Sequence, residues 1–313
     1  MNYLVWRQHR NQVLFATVAL VALAVLLLVT GAHMGAEYRA AVASGLPSGE
    51  LFRGDGVLFD IVVLTGAVPV LLGLFWGAPI VAREIEAGTH LLAWTQGVTR
   101  RRWLGSQIGW TILAAAVWGG AISALVTWWN GALHQVRFEP QHFDVSGLAP
   151  VAYSMFAVAL GIAAGALIRR VMPTLAVTVA GFVGLRIVVE NYLRPHFMGA
   201  ITRTVPLGFD TVTPSPGDWV VSSGVIDPTG HVSDGIRISL DTMPTACRAF
   251  LPGGPSKGDS MLSCLGAHGY RSVFSYQPAG RYWAFQGMEA AIFIALAGLL
   301  VLLAFRLVGR RDA

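Results

Sequence analysis

FDIVVLTGAVPVLLGLFWGAPIV, residues 59–81, is the stretch whose reading decides the fold. Apart from Asp60 it is uncharged. A helix rises about 1.5 Å per residue, so these 23 residues reach about 34 Å, enough for the roughly 30 Å hydrocarbon layer of a bilayer. In lipid the backbone finds no water to bond, so such a run crosses as a helix. Working outward, five more runs qualify: 13–32, 107–129, 148–168, 173–190 and 284–307. The composition agrees, with 54% apolar and only 12% charged residues, where a soluble domain carries about 25% charged. The expected architecture is an all-α membrane protein, a bundle of six transmembrane helices.

Arginine placement gives the expected direction. With the N-terminus cytoplasmic, the inner segments hold Arg7, Arg10, Arg83, Arg100, Arg101, Arg102, Arg169, Arg170, Arg306, Arg310 and Arg311. The short outer loops hold only Arg39, Arg53 and Arg137. The excess of positive charge belongs inside, which puts both termini in the cytoplasm. These arginines also account for the net charge of +5 without any nucleic-acid partner. The run Arg100–Arg102 serves as a membrane anchor or faces an acidic patch on a cytosolic partner. Three divisions are expected. Residues 1–190 form the membrane bundle of helices 1 to 5, with a cytoplasmic segment at 83–103. Residues 191–282 form an extracytoplasmic insertion between helices 5 and 6, and 283–313 supply the sixth helix and its tail.

The insertion reads as loop-rich, with Pro, Gly, Ser and Thr frequent. Residues 219–226 and 236–240 are β-prone, and Asp227-Pro228-Thr229-Gly230 between them suits a turn, so a small hairpin is expected. Short helical pieces follow at 245–251 and 259–266, with Asp259 as N-cap and Gly266 as stop. Each carries one of the two cysteines, Cys247 and Cys264. On the oxidising side of a membrane they suit a disulfide; the alternative is two separate buried thiols.

The cytoplasmic segment is Arg83-Glu84-Ile85-Glu86-Ala87-Gly88-Thr89-His90-Leu91-Leu92-Ala93-Trp94-Thr95-Gln96-Gly97. Gly88 is a natural end for the second helix, and Thr89 can cap a helix of about two turns that Gly97 stops. Leu91, Leu92 and Trp94 on so short a helix suit a protein partner or the headgroup layer. Within the bundle, Gly161 and Gly165 make a small-x-x-x-small face for close helix packing, within the chain or between protomers. Charges inside the lipid are costly and need partners. Arg186 and Glu289 lie at similar depth on helices 5 and 6 and are expected to pair, with Glu190 as the rival partner of Arg186.

Catalytic patterns are missing from the sequence. A phosphate loop needs a lysine after its glycines, and Lys257, the only lysine, lacks that spacing. There is no His-Glu-x-x-His and no Cys-x-x-Cys. No metal site is expected; His134 and His142 share a short loop but fall short of a ligand set.

Three stretches resemble the ABC-type-2 export permeases abundant in high-GC Gram-positive bacteria: Ala78-Pro79-Ile80-Val81-Ala82-Arg83-Glu84 on through Gly88-Thr89 to Trp94-Thr95-Gln96, Ala159-Leu160-Gly161 through Gly165 to Arg170, and Tyr276–Trp283 through Gln286 to Glu289. The resemblance implies a subunit without its own ATPase site. It implies a partner ABC ATPase that carries ATP and Mg, and a homodimer or heterodimer with a second permease. The coupling element would be Arg83–Gln96, with Arg83, Glu84, Glu86, Gly88, Thr89, Leu91, Leu92, Trp94 and Gln96 facing the ATPase. The implied location is the bacterial plasma membrane among its lipids. The competing class is a membrane-anchored extracytoplasmic binding or immunity protein, for which one helix would suffice; a membrane enzyme lacks a visible constellation.

Overall fold

A computed structural model describes residues 2–44, 56–86, 100–131, 138, 140–208, 217–235, 243–250 and 258–310. Six helices among them are long and apolar enough to cross a membrane: Thr17–Glu37, Asp60–Arg83, Gly105–Trp129, Ala149–Ile168, Val171–His196 and Ala279–Val308, called spans 1 to 6. They coincide with the six apolar runs to within a few residues, except that span 5 runs on past 190. The chain divides into two compact units, Met1–Arg194 with Trp283–Ala313, and Pro195–Tyr282.

Span 4 is the hub of the first unit. Some 72% of its most apolar window is buried, against 11% in span 1 and 17% in spans 5 and 6. The outer helices therefore keep broad apolar faces: Val18, Val25 and Val29 on span 1, Met172 and Ile187 on span 5, Leu299 and Leu302 on span 6. In water such faces would be a liability; against lipid they are solvated. One core cluster joins Leu72, Trp76, Ile80 and Val81 of span 2 to Ile108 and Ala115 of span 3, Val158 and Ile162 of span 4, and Ala304 of span 6. Trp76 meets Trp118 edge to face, ring centroids 6.4 Å apart.

Span 2 is an irregular helix. α-Helical pieces at Gly56–Leu64, Val68–Leu72 and Ala78–Glu86 are joined by a 3-10 turn, Thr65–Ala67, and a π turn, Gly73–Gly77. Pro69 removes one backbone donor, and the glycines let the helix lie against span 4. A Cβ on Gly77 would stand 2.6 Å from the Val158 carbonyl oxygen, and one on Gly161 2.6 Å from the Ala78 nitrogen and 2.8 Å from the Gly73 oxygen. Gly165 lies 3.1 Å by the same measure from Ala78 O and Ala82 N. The small-residue face of span 4 thus packs within the chain, against span 2. At Gly77 and Gly161 no side chain fits without a shift of backbone, so spans 2 and 4 meet backbone to backbone.

The second unit adds to a mostly helical chain a sheet that the all-α expectation did not include. It holds a four-stranded antiparallel sheet in the order β1-β4-β2-β3, with β1 Ile201–Pro206, β2 Trp219–Ile226, β3 Val232–Asp234 and β4 Arg271–Gln277. The hairpin at Asp227–Gly230 is present, but its second strand is Val232–Asp234; residues 236–240 lie outside the described residues. β1 and β4 are far apart in sequence, and register runs Ile201↔Tyr276 to Pro206↔Arg271. Their alternation is weak: nearly all of β1 is exposed, so no apolar pattern announces it. A 3-10 turn, Thr245–Phe250, and a helix, Gly258–Ala267, complete the unit. Leu207, Val225, Met243, Cys247, Leu265 and Tyr270 form its core. The helix is stopped by Gly269 rather than Gly266. Gly269 has φ +85°, and Tyr270 N–H donates to Leu265 O at 3.1 Å, closing a left-handed cap. Gly266 is needed for space instead, since a Cβ there would collide with the Leu207 carbonyl.

Candidate functional site

Arg186 and Glu289 are both engaged, but not with each other. The direct pair expected from the sequence is replaced by a network that two further residues complete, Asp144 and Arg194. Arg194 donates through Nε and Nη2 to the two oxygens of Glu289, each at 2.8 Å, and through Nη2 to Asp144 Oδ1 at 2.6 Å. Arg186 donates to the other oxygen of Asp144, and the Tyr153 hydroxyl donates to Glu289 Oε1. The two guanidinium groups also lie over aromatic rings, Arg186 over Tyr153 at 4.2 Å and Arg194 over Phe143 at 4.3 Å. Arg194 is 2% exposed and Glu289 0%. Two cations face two anions, so the buried charge sums to zero. Glu190 stands at the margin, half-buried and outside this set of hydrogen bonds.

Backbone irregularity aims these side chains. In a regular helix eight residues turn through about 800°, which would put Arg194 roughly 80° away from Arg186. Span 5 has a π turn at Val189–Leu193, between the two. It absorbs one residue, so the rotation falls to about 700° and both arginines face the same side. A 3-10 turn, Arg194–His196, with Pro195 inside it, then ends the span.

Asp144 reaches the network because the connection between spans 3 and 4 folds into the bundle. It was expected as a short outer loop; instead Phe138, His142, Phe143, Asp144, Val145 and Ser146 are buried. Gln286 of span 6 holds it there. Its Oε1 accepts from Leu148 N at 2.9 Å and Ala149 N at 2.8 Å, and its Nε2 donates to Phe143 O at 2.9 Å. Span 4 has no side-chain cap of its own, so a side chain from another span satisfies its first donors. Ser123 of span 3 adds a bond from its hydroxyl to Gly147 O at 2.6 Å. The network therefore ties spans 4, 5 and 6 and the 3–4 connection together.

At the other end of the bundle, Arg83 and Glu86 are exposed on the last turn of span 2. Glu86 makes a contact that the sequence did not suggest: its Oε2 accepts the backbone N–H of Val171, the first residue of span 5, at 2.9 Å. Gly88, Thr89, Leu91, Leu92, Trp94 and Gln96 lie outside the described residues, as does the side chain of Glu84.

In the second unit Cys247 and Cys264 face each other with Cα atoms 5.7 Å apart and their sulfurs at bonding distance. His268 stands close, its Nδ1 3.7 and 3.9 Å from the two sulfurs. Nδ1 also meets Cys264 O at 2.8 Å; a carbonyl only accepts, so this contact is a hydrogen bond in the tautomer protonated at Nδ1. In the hairpin turn, Asp227 accepts from Thr229 Oγ1, Thr229 N and His231 N. The Thr229 hydroxyl and the His231 N–H hold its carboxyl below the ordinary carboxylate value.

The sequence signals for the missed residues were weak. Asp144 is one acid in a connecting stretch, and Arg194 lay past the expected end of span 5. The spacing Arg186-Glu190-Arg194, four and four, was a legible sign that the helix continues.

Residues 17–194, more than half of the 313-residue chain, match the family described as ABC-2 membrane transporter related. No curated protein matches, and no solved structure matches. The matched region takes in spans 1 to 4, span 5 as far as Arg194, the Asp144 connection and both arginines of the network. With six apolar spans and this match, the chain is a multi-pass membrane protein of the permease type and belongs to the ABC-2 membrane transporter related family.

Proposed function

We propose that the chain is the membrane-spanning subunit of an ABC exporter in the bacterial plasma membrane, driven by a separate cytosolic ATPase. The observation that carries this reading is the family match over spans 1 to 5 in a chain whose sequence has no phosphate loop. A permease of this kind works with an ABC ATPase partner, which holds the ATP and Mg. The excess of arginines on one side puts both termini, and segment 83–103, in the cytoplasm. Residues 89–96 dock on the ATPase, and a second permease copy or homologue completes the pathway. The second unit is then extracytoplasmic, where Cys247 and Cys264 stay oxidised.

The structural elements have separate tasks. Spans 2 and 4, in backbone contact through Gly73, Gly77, Gly161 and Gly165, move as one body when the coupling segment is displaced. The Asp144–Arg194–Glu289 network holds the opposite ends of spans 4, 5 and 6 together. A buried cluster of two cations and two anions has few intermediate arrangements, which suits a pathway that switches between closed states. An apolar bundle suits lipophilic or amphipathic cargo.

The test is co-expression with the ATPase encoded beside it. The expected result is a complex that co-purifies, and that is lost on Leu92→Asp with Trp94→Asp while membrane insertion persists. An unchanged complex in the double variant would remove the docking role from residues 89–96.

A further inference from the structure

The connection between spans 4 and 5 is two residues long. Arg169 takes the left-handed conformation, φ 62° and ψ 13°, and its N–H donates to Gly165 O at 2.9 Å. Arg170 is extended, φ −128° and ψ 133°, and span 5 begins at Val171 with no side-chain cap from Arg170. The first N–H groups of a helix have no partner within it and carry partial positive charge. Thr174 sends both its N–H and its hydroxyl to Arg170 O, which does nothing for the N–H of Val171. The carboxylate of Glu86 takes that N–H at 2.9 Å, from 85 residues earlier in the chain.

Where the cap comes from matters. A local N-cap would hold span 5 to its own linker. This one belongs to the last turn of the helix that carries span 2, Ala78–Glu86, and the segment proposed to dock on the ATPase, residues 89–96, starts three residues later. Span 2 is also locked to span 4 through the glycine contacts. The end of span 2 therefore grips span 5 directly, by a charge-assisted bond at the helix end where a carboxylate is most favoured. From Val171 to Arg186 span 5 is about 23 Å long, at about 1.5 Å per residue. A displacement at Val171 is delivered along this rod to Arg186 and Arg194, the two cations of the buried network.

Resting on the permease reading, we propose that Glu86 is a positioning residue: it passes movement of the coupling segment to span 5 through the Val171 N–H, and so to the Arg186–Arg194 network, instead of facing the ATPase. The interaction can be cut from either side. Glu86→Ala removes the acceptor. Val171→Pro removes the donor and keeps the helix start, because proline is favoured at the first helical position and Arg170 already has the extended conformation that precedes proline. Glu86→Gln keeps an oxygen that can accept.

The experiment is hydrogen–deuterium exchange on the full chain in complex with its ATPase, without nucleotide and trapped with ATP and vanadate. In the wild type, trapping changes exchange in peptides covering 87–99 and 186–194. In Glu86→Ala and in Val171→Pro the change at 87–99 remains and that at 186–194 is lost. The double variant is no worse than either single one, and Glu86→Gln retains most of the response. Without nucleotide, exchange at 172–176 rises about 2- to 30-fold, the range spanned by a lost N-terminal cap. A nucleotide response at 186–194 that survives both single variants overturns the inference, as does its absence from the wild-type complex. Failure of the wild-type chain to form a complex at all is a different result and refutes the permease reading beneath it.

Discussion

Arg194→Met is the most informative single change in the bundle. Arg194 makes three bonds at 2.6 to 2.8 Å to two carboxylates and is 2% exposed. Methionine fills a similar length without charge, so the loss is chiefly electrostatic. Glu289 keeps only the Tyr153 hydroxyl, and Asp144 keeps Arg186 as its one cation. Two buried anions then share one cation, and the site carries a net charge of −1. Removing one member of a buried ion pair costs about 3–5 kcal/mol. Arg186→Met is milder, because Asp144 retains Arg194 and only one bond to a carboxylate is lost, worth about 1.5–3 kcal/mol. The assay is denaturant or thermal unfolding of the purified chain in detergent, followed by tryptophan fluorescence. The expected order is Arg194→Met well below Arg186→Met, which is below wild type. A double-mutant cycle sharpens it: Arg194 with Glu289 shows a large coupling, and Arg186 with Glu289, which are not in contact, shows little. An Arg194→Met loss under about 1 kcal/mol, or a larger coupling for Arg186 with Glu289, refutes the network.

Other consequences are equally direct. Gly161→Ala puts a methyl group 2.6 Å from a span 2 backbone nitrogen, so it lowers stability by about 1–3 kcal/mol, whereas Gly298→Ala meets nothing within 4 Å and is neutral or stabilising; equal losses would mean the spans are not in backbone contact. Non-reducing mass spectrometry shows a Cys247–Cys264 linked peptide, and Cys247→Ser lowers stability by about 3 kcal/mol, the closure entropy for a separation of 17 residues; free thiols in protein from its native membrane contradict this. The carboxyl of Asp227 titrates below its ordinary value of 3.8 because its hydrogen bonds favour the ionised form. Its contribution to the hairpin turn is thus fully present above that value and is lost only as pH falls through the lower, folded-state pKa; carboxyl titration by NMR checks it, and an unshifted or raised value counts against the turn.

What the sequence made legible follows from the strength of each physical signal. Hydrocarbon thickness imposes a length and polarity that six runs satisfy, so the spans were readable to within a few residues. The face bearing Gly161 and Gly165 was readable as close packing, but its partner was not, since spacing on one helix says nothing of which backbone lies opposite. The network was half visible. A charge inside an apolar run announces the need for a partner, which pointed to Arg186 and Glu289. It does not name the partner, and the true ones came from a connection that folds inward and from a helix extended by a π turn. The first leaves no periodic trace, and the second only the spacing of Arg186, Glu190 and Arg194. The sheet was missed for a related reason: β1 and β4 pair across some seventy residues, and an exposed edge strand has no alternation to read. Glu86 shows what a motif leaves unsaid. Its place in a coupling motif suggested a partner protein, and its carboxylate also accepts from a neighbouring helix.

The central claim is that this chain turns ATP hydrolysis by another subunit into movement of a membrane bundle. The measurement that tests it most directly is ATP hydrolysis by the neighbouring ATPase in sedimented proteoliposomes made with and without the purified chain. The account expects hydrolysis to sediment with the vesicles only when the chain is present, and none from the chain alone. An ATPase that stays in the supernatant at an unchanged rate, whether or not the chain is in the membrane, would contradict it.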